Sequence, residues 1–344
     1  MRIIDFHMHP FGTKEEFSCM YPEEFTLSWQ EGIEDLKNAG ICHACGSVIE
    51  SSHVFDEKKD GFAYIHHLNL RAIELSQAAV CEKEQSDTEQ PGNEQRGIEE
   101  CNMGQSPRTK CDKGPSPVTN RDRGPSPVTK CDRGPSPVTN RDKGPSPRTK
   151  CDRGPSPVTP TAKSFLTPGF HVHPAFVRES CDEIEWAHSL GYRLVGELVP
   201  YMHGWTNYGS RALSKILDTA DQLHMVVSYH TVVEEAEEMD RMIAAHPGLT
   251  FVAAHPGQRP DYLRQIERLQ RFPNLSLDLS GTGLFRYGML AYGVNKVGAE
   301  RFLFGTDFPI CNPRMYVQAV CQEHITETDR ELIFHGNAER LLAL

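Results

Sequence analysis

This sequence lacks a long apolar run, a net positive charge and a regular cysteine framework, and each absence argues against a class of protein. No run of about 18 apolar residues occurs, so no transmembrane helix is predicted, and polar residues from Asp5 onward interrupt the first segment, so no cleavable signal is expected. The formal net charge is -11, which disfavours a general nucleic-acid-binding role. The 11 cysteines are odd in number and irregularly spaced outside one segment, so a disulfide framework is not expected. We therefore expect a cytoplasmic protein that binds neither nucleic acid nor membrane.

Aromatic residues are missing from residues 83–163, where a ten-residue unit of the type SPVTNRDRGP repeats. Each unit has two prolines and at most one valine, so the segment cannot bury enough apolar surface to offset its ordering entropy. We predict a disordered low-complexity insertion with some extended polyproline character. An inert spacer is the first interpretation. A basic tether (12 Lys and Arg against 5 Asp in 106–159) and a metal or redox role for the cysteines remain open.

The rest of the chain alternates apolar runs with helical patterns, which indicates a parallel α/β arrangement. Without the insertion 263 residues remain, close to the roughly 250 of an eightfold barrel. We predict one (β/α)8 TIM-type barrel domain made of residues 1–82 and 164–344. An open doubly wound sheet is disfavoured because no glycine-rich nucleotide motif follows the first strand. The predicted strands are 2–7, 42–49, 170–172, 192–198, 225–229, 249–254, 275–279 and 302–304; the last predicted helix is 329–342, after a loop around residue 312.

Metal-ligand side chains recur where the predicted strands end, and active sites of such barrels lie at the C-terminal strand ends. His7 and His9 are two residues apart, so alternation along a strand puts both on one side. A single buried His or Asp could be structural. Such a residue occurs at nearly every strand end, however, and each of them would need its own buried hydrogen-bond partner. The set is His7, His9, Glu50, His171, His173, Glu197, His230, His255, Asp278 and Asp307. It predicts a metal site.

Four motifs also carry a family resemblance: DFHMHP at 5–10, SYHT at 228–231, AHPG at 254–257 and FGTDFP at 304–309. Together they resemble the amidohydrolase superfamily, most closely the amidohydrolase-related group of metal-dependent hydrolases, lactonases and non-oxidative decarboxylases. The resemblance implies a distorted (β/α)8 barrel. It also implies metal ligands at His7, His9, His230 and Asp307, with His255 as a second-metal ligand or a catalytic group.

Glu197 stands where many two-metal members of the superfamily have a carboxylated lysine. A Gly-Glu pair at this point resembles TatD-type hydrolases, in which the glutamate is shared by two metals. Glu197 is therefore either a bridging ligand or a carboxylate that orients a ligand histidine.

We expect a metal-dependent hydrolase in which a metal-activated water attacks an amide, ester, lactone or phosphoester. Asp307 would move the proton, with His255 as the second catalytic candidate. A non-oxidative decarboxylase of a small carboxylic acid is the alternative, and a non-enzymatic scaffold for the repeat is the lesser one. One or two divalent ions are expected, zinc first, with manganese and iron as alternatives.

The substrate is expected to be a small molecule, and a basic side chain near the pocket mouth makes an anionic one a candidate. Arg286 is the candidate grip for a carboxylate or phosphate, with an ordinary ion pair as the alternative. His173 could contact substrate, help the metal or anchor its loop, and His203 follows the fourth strand at the pocket mouth. A homo-oligomer remains open.

Overall fold

Eight parallel strands in sequential order form the centre of the protein in the computed structural model, which describes residues 1–18, 26–79, 164–284 and 286–344. The predicted insertion, 83–163, lies outside the described residues. The strands are β1 (Ile4–Met8), β2 (His43–Gly46), β3 (Leu166–Phe170), β4 (Leu194–Leu198), β5 (Val226–His230), β6 (Thr250–Ala254), β7 (Leu275–Asp278) and β8 (Phe302–Leu303).

Helices follow the strands in turn. They are α1 (Trp29–Asn38), α2 (Gly61–Ala78), α3 (Val177–Ser189), α4 (Arg211–Gln222), α5 (Ala236–Ala245), α6 (Arg259–Arg271), α7 (Met289–Val297), α8 (Pro313–Gln322), α9 (Glu327–Glu331) and α10 (Asn337–Leu342). A π-helical turn, Leu332–Gly336, joins α9 to α10. Among the described helices, none combines the length and the apolar character that a membrane crossing requires.

The sheet closes on itself nearly completely, which confirms the predicted barrel. Each strand pairs in parallel with the next, from β1 to β8. The backbone N–H of Phe6 donates to Phe304 O at 2.8 Å, and Met8 pairs with Phe308. The chain that continues β8 therefore lies against β1. Because all strands run the same way, their C-terminal ends meet at one end of the barrel.

Two apolar clusters hold the barrel together. The inner one fills the barrel below the site, and α10 contributes to it; its members are Ile4, Phe6, Cys45, Leu194, Val226, Val252, Leu303, Ala338 and Leu342. The outer cluster packs the other face of the strands against the helices, with Val227, Tyr229 and Phe251 among its buried members. Side chains of β5 thus alternate between inside and outside, as a half-buried strand requires.

The region after β8 departs from the sequence prediction. A helix, α8, occupies Pro313–Gln322, where we predicted a loop around Asn312. Asn312 caps this helix, since its side chain accepts from the backbone N–H of Arg314 and Met315, and Pro313 occupies the first turn. Both residue types are typical of a helix start, so the signal was present in the sequence.

Strand β3 also begins earlier than predicted. It spans Leu166–Phe170, although Pro168 and Gly169 are residues that weaken a strand assignment. His171 therefore follows the strand directly.

Candidate metal centre

Three buried side chains bring their donor atoms together at the C-terminal end of the barrel. His9 Nε2 lies 3.2 Å from Asp307 Oδ1, and His7 Nε2 lies 3.7 Å from the same oxygen. These residues form one of two groups, among the described residues, whose atoms are close enough to hold a metal ion. The other group is His7, Glu197 and His255. The two groups share His7.

Two atoms of the first group are unsatisfied. His7 Nε2 and Asp307 Oδ1 are buried and have no hydrogen-bond partner among the described residues. Buried polar atoms are rarely left unpaired, because each costs free energy comparable to a lost hydrogen bond. An imidazole nitrogen and a carboxylate oxygen are both ligands for zinc, manganese or iron. The residues present therefore fit a divalent metal.

Glu197 lies between two pairs of histidines. Its Oε2 is 3.4 Å from His7 Nε2 and 3.7 Å from His9 Nε2. Its Oε1 is 2.9 Å from His230 Nδ1 and 3.5 Å from His255 Nε2. One carboxylate thus faces both sides of the centre. His230 belongs to neither metal group and reaches the centre through its contact with Glu197.

Irregularities in two strands turn the site residues inward. The pairing of β1 with β2 shifts by one residue between Asp5 and Met8, and the pairing of β4 with β5 shifts between Val195 and Leu198. Ile4, Phe6 and Leu194 belong to the inner cluster. By strict alternation, His7 and Glu197 would then point to the outer face. A one-residue shift reverses this, as bulges beside active sites commonly do.

The backbone at two other site residues is left-handed. His255 has φ 69° and Asp307 has φ 65°, a region that residues other than glycine seldom adopt. Strand alternation therefore does not set the direction of these two side chains. Such conformations concentrate at functional sites, where the surrounding structure maintains them.

Outer contacts fix the ring of each histidine nearest the centre. His7 Nδ1 donates to Asp278 Oδ2 at 2.8 Å, and His9 Nδ1 donates to the carbonyl oxygen of Ser47 at 3.0 Å. In the neutral ring, each Nδ1 hydrogen leaves the lone pair on Nε2, the atom that faces the centre. Asp278 stood among the strand-end residues but not among our candidate site residues, and Ser47 was missed because a carbonyl contact carries no residue-type signal.

The charges at the centre are arranged to attract a cation. Burial lowers the pKa of His7, but the carboxylates of Asp278 and Glu197 raise it well above its usual value. Burial raises the pKa of Glu197, but the charge of His7 and the contacts with His230 and His255 lower it well below its usual value. The carboxylates of Asp278 and Glu197 thus stay ionised, and their negative charge keeps a proton on His7. A divalent ion supplies the same positive charge.

Of the residues predicted to bind substrate, His173 and His203 lie beside the centre with other buried histidines. His173 Nε2 donates to the carbonyl oxygen of His203 at 2.8 Å, and its Nδ1 accepts from Ala175 N at 3.1 Å, so both ring nitrogens are occupied. The rings of His203 and His171 meet edge to face at 4.7 Å. Burial lowers the pKa of His203 well below its usual value and that of His171 to about 4. These imidazoles are therefore neutral.

Arg286 and Tyr201 occupy loops at the strand ends. Arg286 is exposed and donates to Gln258 Oε1 at 3.0 Å. The ring of Tyr201 meets His230 edge to face at 5.2 Å, while 65% of the residue remains exposed. Burial of the hydroxyl and the charges of Glu197 and Asp307 raise the pKa of Tyr201 to about 12, so the hydroxyl keeps its proton. Tyr201 is absent from our candidate list and contacts the centre through His230.

Comparisons with known proteins place this geometry in a family. The profile described as "Amidohydrolase" matches residues 162–344, which include β4 to β8 and the whole histidine set after β3. No curated protein sequence matches the chain significantly.

Solved structures with the same fold align along the entire chain. A TIM-barrel protein from Bordetella bronchiseptica is 18% identical, with a TM-score of 0.58, over 100% of this chain and 99% of its own. A 2,6-dihydroxybenzoate decarboxylase from Rhizobium is 13% identical, with a TM-score of 0.55, over 99% and 98%. A 5-carboxyvanillate decarboxylase from Novosphingobium aromaticivorans, solved with bound manganese, is 12% identical, with a TM-score of 0.58, over 99% and 97%. At these identities the likeness shows the fold, and together with the profile match it leads to one conclusion: the chain belongs to the amidohydrolase family.

Proposed function

We propose that this protein is a metal-dependent decarboxylase that releases CO2 from a small carboxylic acid without an oxidant. The observation that carries the metal dependence is the pair of buried, unpartnered atoms, His7 Nε2 and Asp307 Oδ1. His9 Nε2, 3.2 Å from the same carboxylate oxygen, supplies the third donor. Three protein ligands with room for substrate describe a catalytic site better than a structural one.

The choice of decarboxylation rests on the relatives. Two enzymes that align with nearly the whole chain are decarboxylases of carboxylated aromatic compounds. Both of these relatives have a named substrate and are decarboxylases, so the hydrolase that the sequence led us to expect first becomes the second candidate. Manganese is tested beside zinc, because one of these relatives carries manganese.

The reaction requires a proton at a defined place. The bond between the carboxylate carbon and its neighbour breaks, the electron pair stays on the neighbouring carbon, and a proton must reach that carbon. A bound divalent ion supplies a Lewis acid that holds the substrate oxygens. His255 is the candidate proton donor, because its Nε2 lies 3.5 Å from Glu197 Oε1 and its Nδ1 lies 3.0 Å from Ser280 Oγ. Burial lowers the pKa of His255, but its contact with Glu197 raises it overall, which favours the protonated ring.

Hydrolysis is the second candidate, and the position of Glu197 favours it. Its two oxygens face two separate histidine pairs, the arrangement that a carboxylate shared by two ions needs. In that case Asp307 would accept the proton of the attacking water. The number of ions per chain separates the two candidates. The proposed decarboxylase needs one ion, whereas a hydrolase in which two ions share Glu197 needs two.

The test measures metal content and products together. Metal-depleted protein is reloaded with Mn2+ or Zn2+ and offered hydroxylated benzoates alongside esters, lactones, amides and phosphodiesters. CO2 release and hydrolysis products are followed by mass spectrometry, with His230→Ala as the inactive control. CO2 release with one ion per chain supports the proposal, and hydrolysis with two ions supports the second candidate. A protein that binds no divalent ion contradicts both.

A further inference from the structure

Ser47 and Val48, the two residues directly after β2, make hydrogen bonds to the ends of three other strands. The carbonyl oxygen of Ser47 accepts from His9 Nδ1 at 3.0 Å. The hydroxyl oxygen of Ser47 accepts from the backbone N–H of Glu197 at 3.2 Å. The carbonyl oxygen of Val48 accepts from His171 Nε2 at 2.7 Å. The strand-end pattern in the sequence assigns no role to either residue.

The contact with His9 selects which ring nitrogen faces the centre. A carbonyl oxygen can only accept, so Nδ1 of His9 must carry the hydrogen and Nε2 must carry the lone pair. That Nε2 lies 3.2 Å from Asp307 Oδ1 and 3.7 Å from Glu197 Oε2. The carbonyl group of Ser47 therefore orients the ring of His9 so that Nε2 faces Asp307 and Glu197.

The contact with Glu197 acts on the other side of the centre. Ser47 is buried, and its hydroxyl satisfies the backbone N–H of Glu197 where the pairing of β4 with β5 is shifted. Gly196, just before it, has φ 96°, and a Cβ there would lie 2.1 Å from the carbonyl oxygen of Ser228. Regular strand pairing thus does not hold this stretch in place. The serine hydroxyl takes over that role.

The segment is itself held from the opposite side. The backbone N–H of His171 donates to Asn69 Oδ1 at 2.7 Å, and Asn69 Nδ2 donates to the carbonyl oxygen of His171 at 3.0 Å. Asn69 is fully buried on α2, so it fixes the end of β3. The His171 ring then holds the carbonyl of Val48 in a fixed direction.

We propose that Ser47 is a positioning residue that sets the geometry of His9 and Glu197 together. This inference rests on the proposed metal centre and extends it to a residue that touches neither metal nor substrate. Contacts of this kind typically contribute 10- to 100-fold in metal affinity or activity. Ser47→Ala removes the hydroxyl and leaves the carbonyl, so it tests the contact with Glu197 alone. Ser47→Cys keeps most of the volume and replaces the hydroxyl by a weak acceptor.

The test compares these variants with Ser76→Ala, which removes a buried hydroxyl that bonds to Leu166 at the start of β3. Co2+ affinity and the visible spectrum of bound Co2+ report the centre, and amide hydrogen exchange at Glu197 reports the hydrogen bond. We expect both Ser47 variants to bind Co2+ about tenfold or more weakly, with a changed spectrum and faster exchange at Glu197. Ser76→Ala should match the wild type in all three measurements.

Two results separate this inference from the proposed function. If the wild type binds Co2+ and folded Ser47→Cys binds it equally well, with unchanged exchange at Glu197, the role of Ser47 is overturned and the metal centre stands. If the wild type binds no Co2+, the metal centre itself is overturned, and with it the role of Ser47.

Discussion

The Nε2 atom of His7 lies 3.7 Å from Oδ1 of Asp307, and neither atom has a hydrogen-bond partner among the described residues. The two residues come from opposite ends of the chain, and the closing contact of β1 with the segment after β8 brings them together. Asp5 contributes to this contact, because its carboxylate accepts from the backbone N–H of Thr306 at 2.9 Å. These two buried atoms without partners are the observation from which we propose a metal-dependent reaction.

Asp278→Asn should weaken metal binding about 10- to 100-fold while the protein stays folded. Asp278 Oδ2 accepts from His7 Nδ1 at 2.8 Å, and the carboxylate also accepts from the backbone N–H of Ser280 at 3.0 Å. Asparagine keeps one acceptor but loses the charge that makes the ring of His7 a stronger ligand. The metal dissociation constant measures the effect. Asp218→Asn is the control, because this carboxylate is exposed and contacts His246; equal affinities in the two variants would contradict the role of Asp278.

Metal binding should release protons near neutral pH, and affinity should rise with pH. The pKa of His7 is raised well above its usual value, so the metal-free protein holds a proton on this ring at a pH where free histidine has lost it. A metal needs the neutral ring, so protons compete with it and leave as pH rises. Glu197, with its lowered pKa, stays ionised throughout. Calorimetry in buffers of different ionisation enthalpy counts the released protons; a count of zero at pH 7 would contradict this account.

Tyr201→Ala should raise the KM for a carboxylated substrate about three- to tenfold without changing metal affinity. The ring contacts His230, which belongs to neither metal group, so its removal should leave the metal ligands in place. Tyr201→Phe keeps the ring and removes a hydroxyl that stays protonated, since its pKa is about 12, so it separates stacking from hydrogen bonding. Steady-state kinetics provide the measurement. Tyr292→Phe, on α7, is the control, and a KM unchanged by Tyr201→Ala would remove Tyr201 from the substrate site.

Deletion of residues 83–163 should leave metal binding and turnover intact. The backbone N–H of Phe165 donates to the carbonyl oxygen of Ala79 at 3.1 Å, so the two chain ends that flank the deletion are already adjacent. Ala79 follows the C-terminal end of α2 and Phe165 precedes β3, and these helix and strand ends lie at the barrel end opposite the site. Metal titration and kinetics of the deletion variant check the prediction. Loss of activity in a folded variant would place the repeat in the function.

Much of the fold could be predicted from the sequence, because it follows from periodicity. Eight strands and most helices were recognised from alternating apolar runs, and the barrel follows from their number and order. Helix α8 was missed although Asn312 and Pro313 mark its start. Its buried residues Pro313, Tyr316, Val317 and Val320 also have helical spacing, so both the capping residues and the apolar period predict this helix.

The site was harder to predict in detail, because its geometry depends on departures from regular structure. The alternation rule puts His7 and His9 on the same side of β1, as the structure does. Ile4 and Phe6 face the inside of the barrel, so the same rule would point both histidines outward, and only the shift in the pairing of β1 turns them inward. Residue type does not reveal such a shift. Nor could it distinguish His173, with both ring nitrogens occupied, from His7, with one unsatisfied.

We propose that His7, His9 and Asp307 hold a divalent ion, and an anomalous difference map of manganese-loaded crystals would show that ion in place. A peak is expected about 2.2 Å from Nε2 of His7, Nε2 of His9 and Oδ1 of Asp307. A second peak between Glu197 and His255 would add the shared-carboxylate arrangement. A map with no peak at the first position, from protein shown to be folded and loaded, would contradict the account.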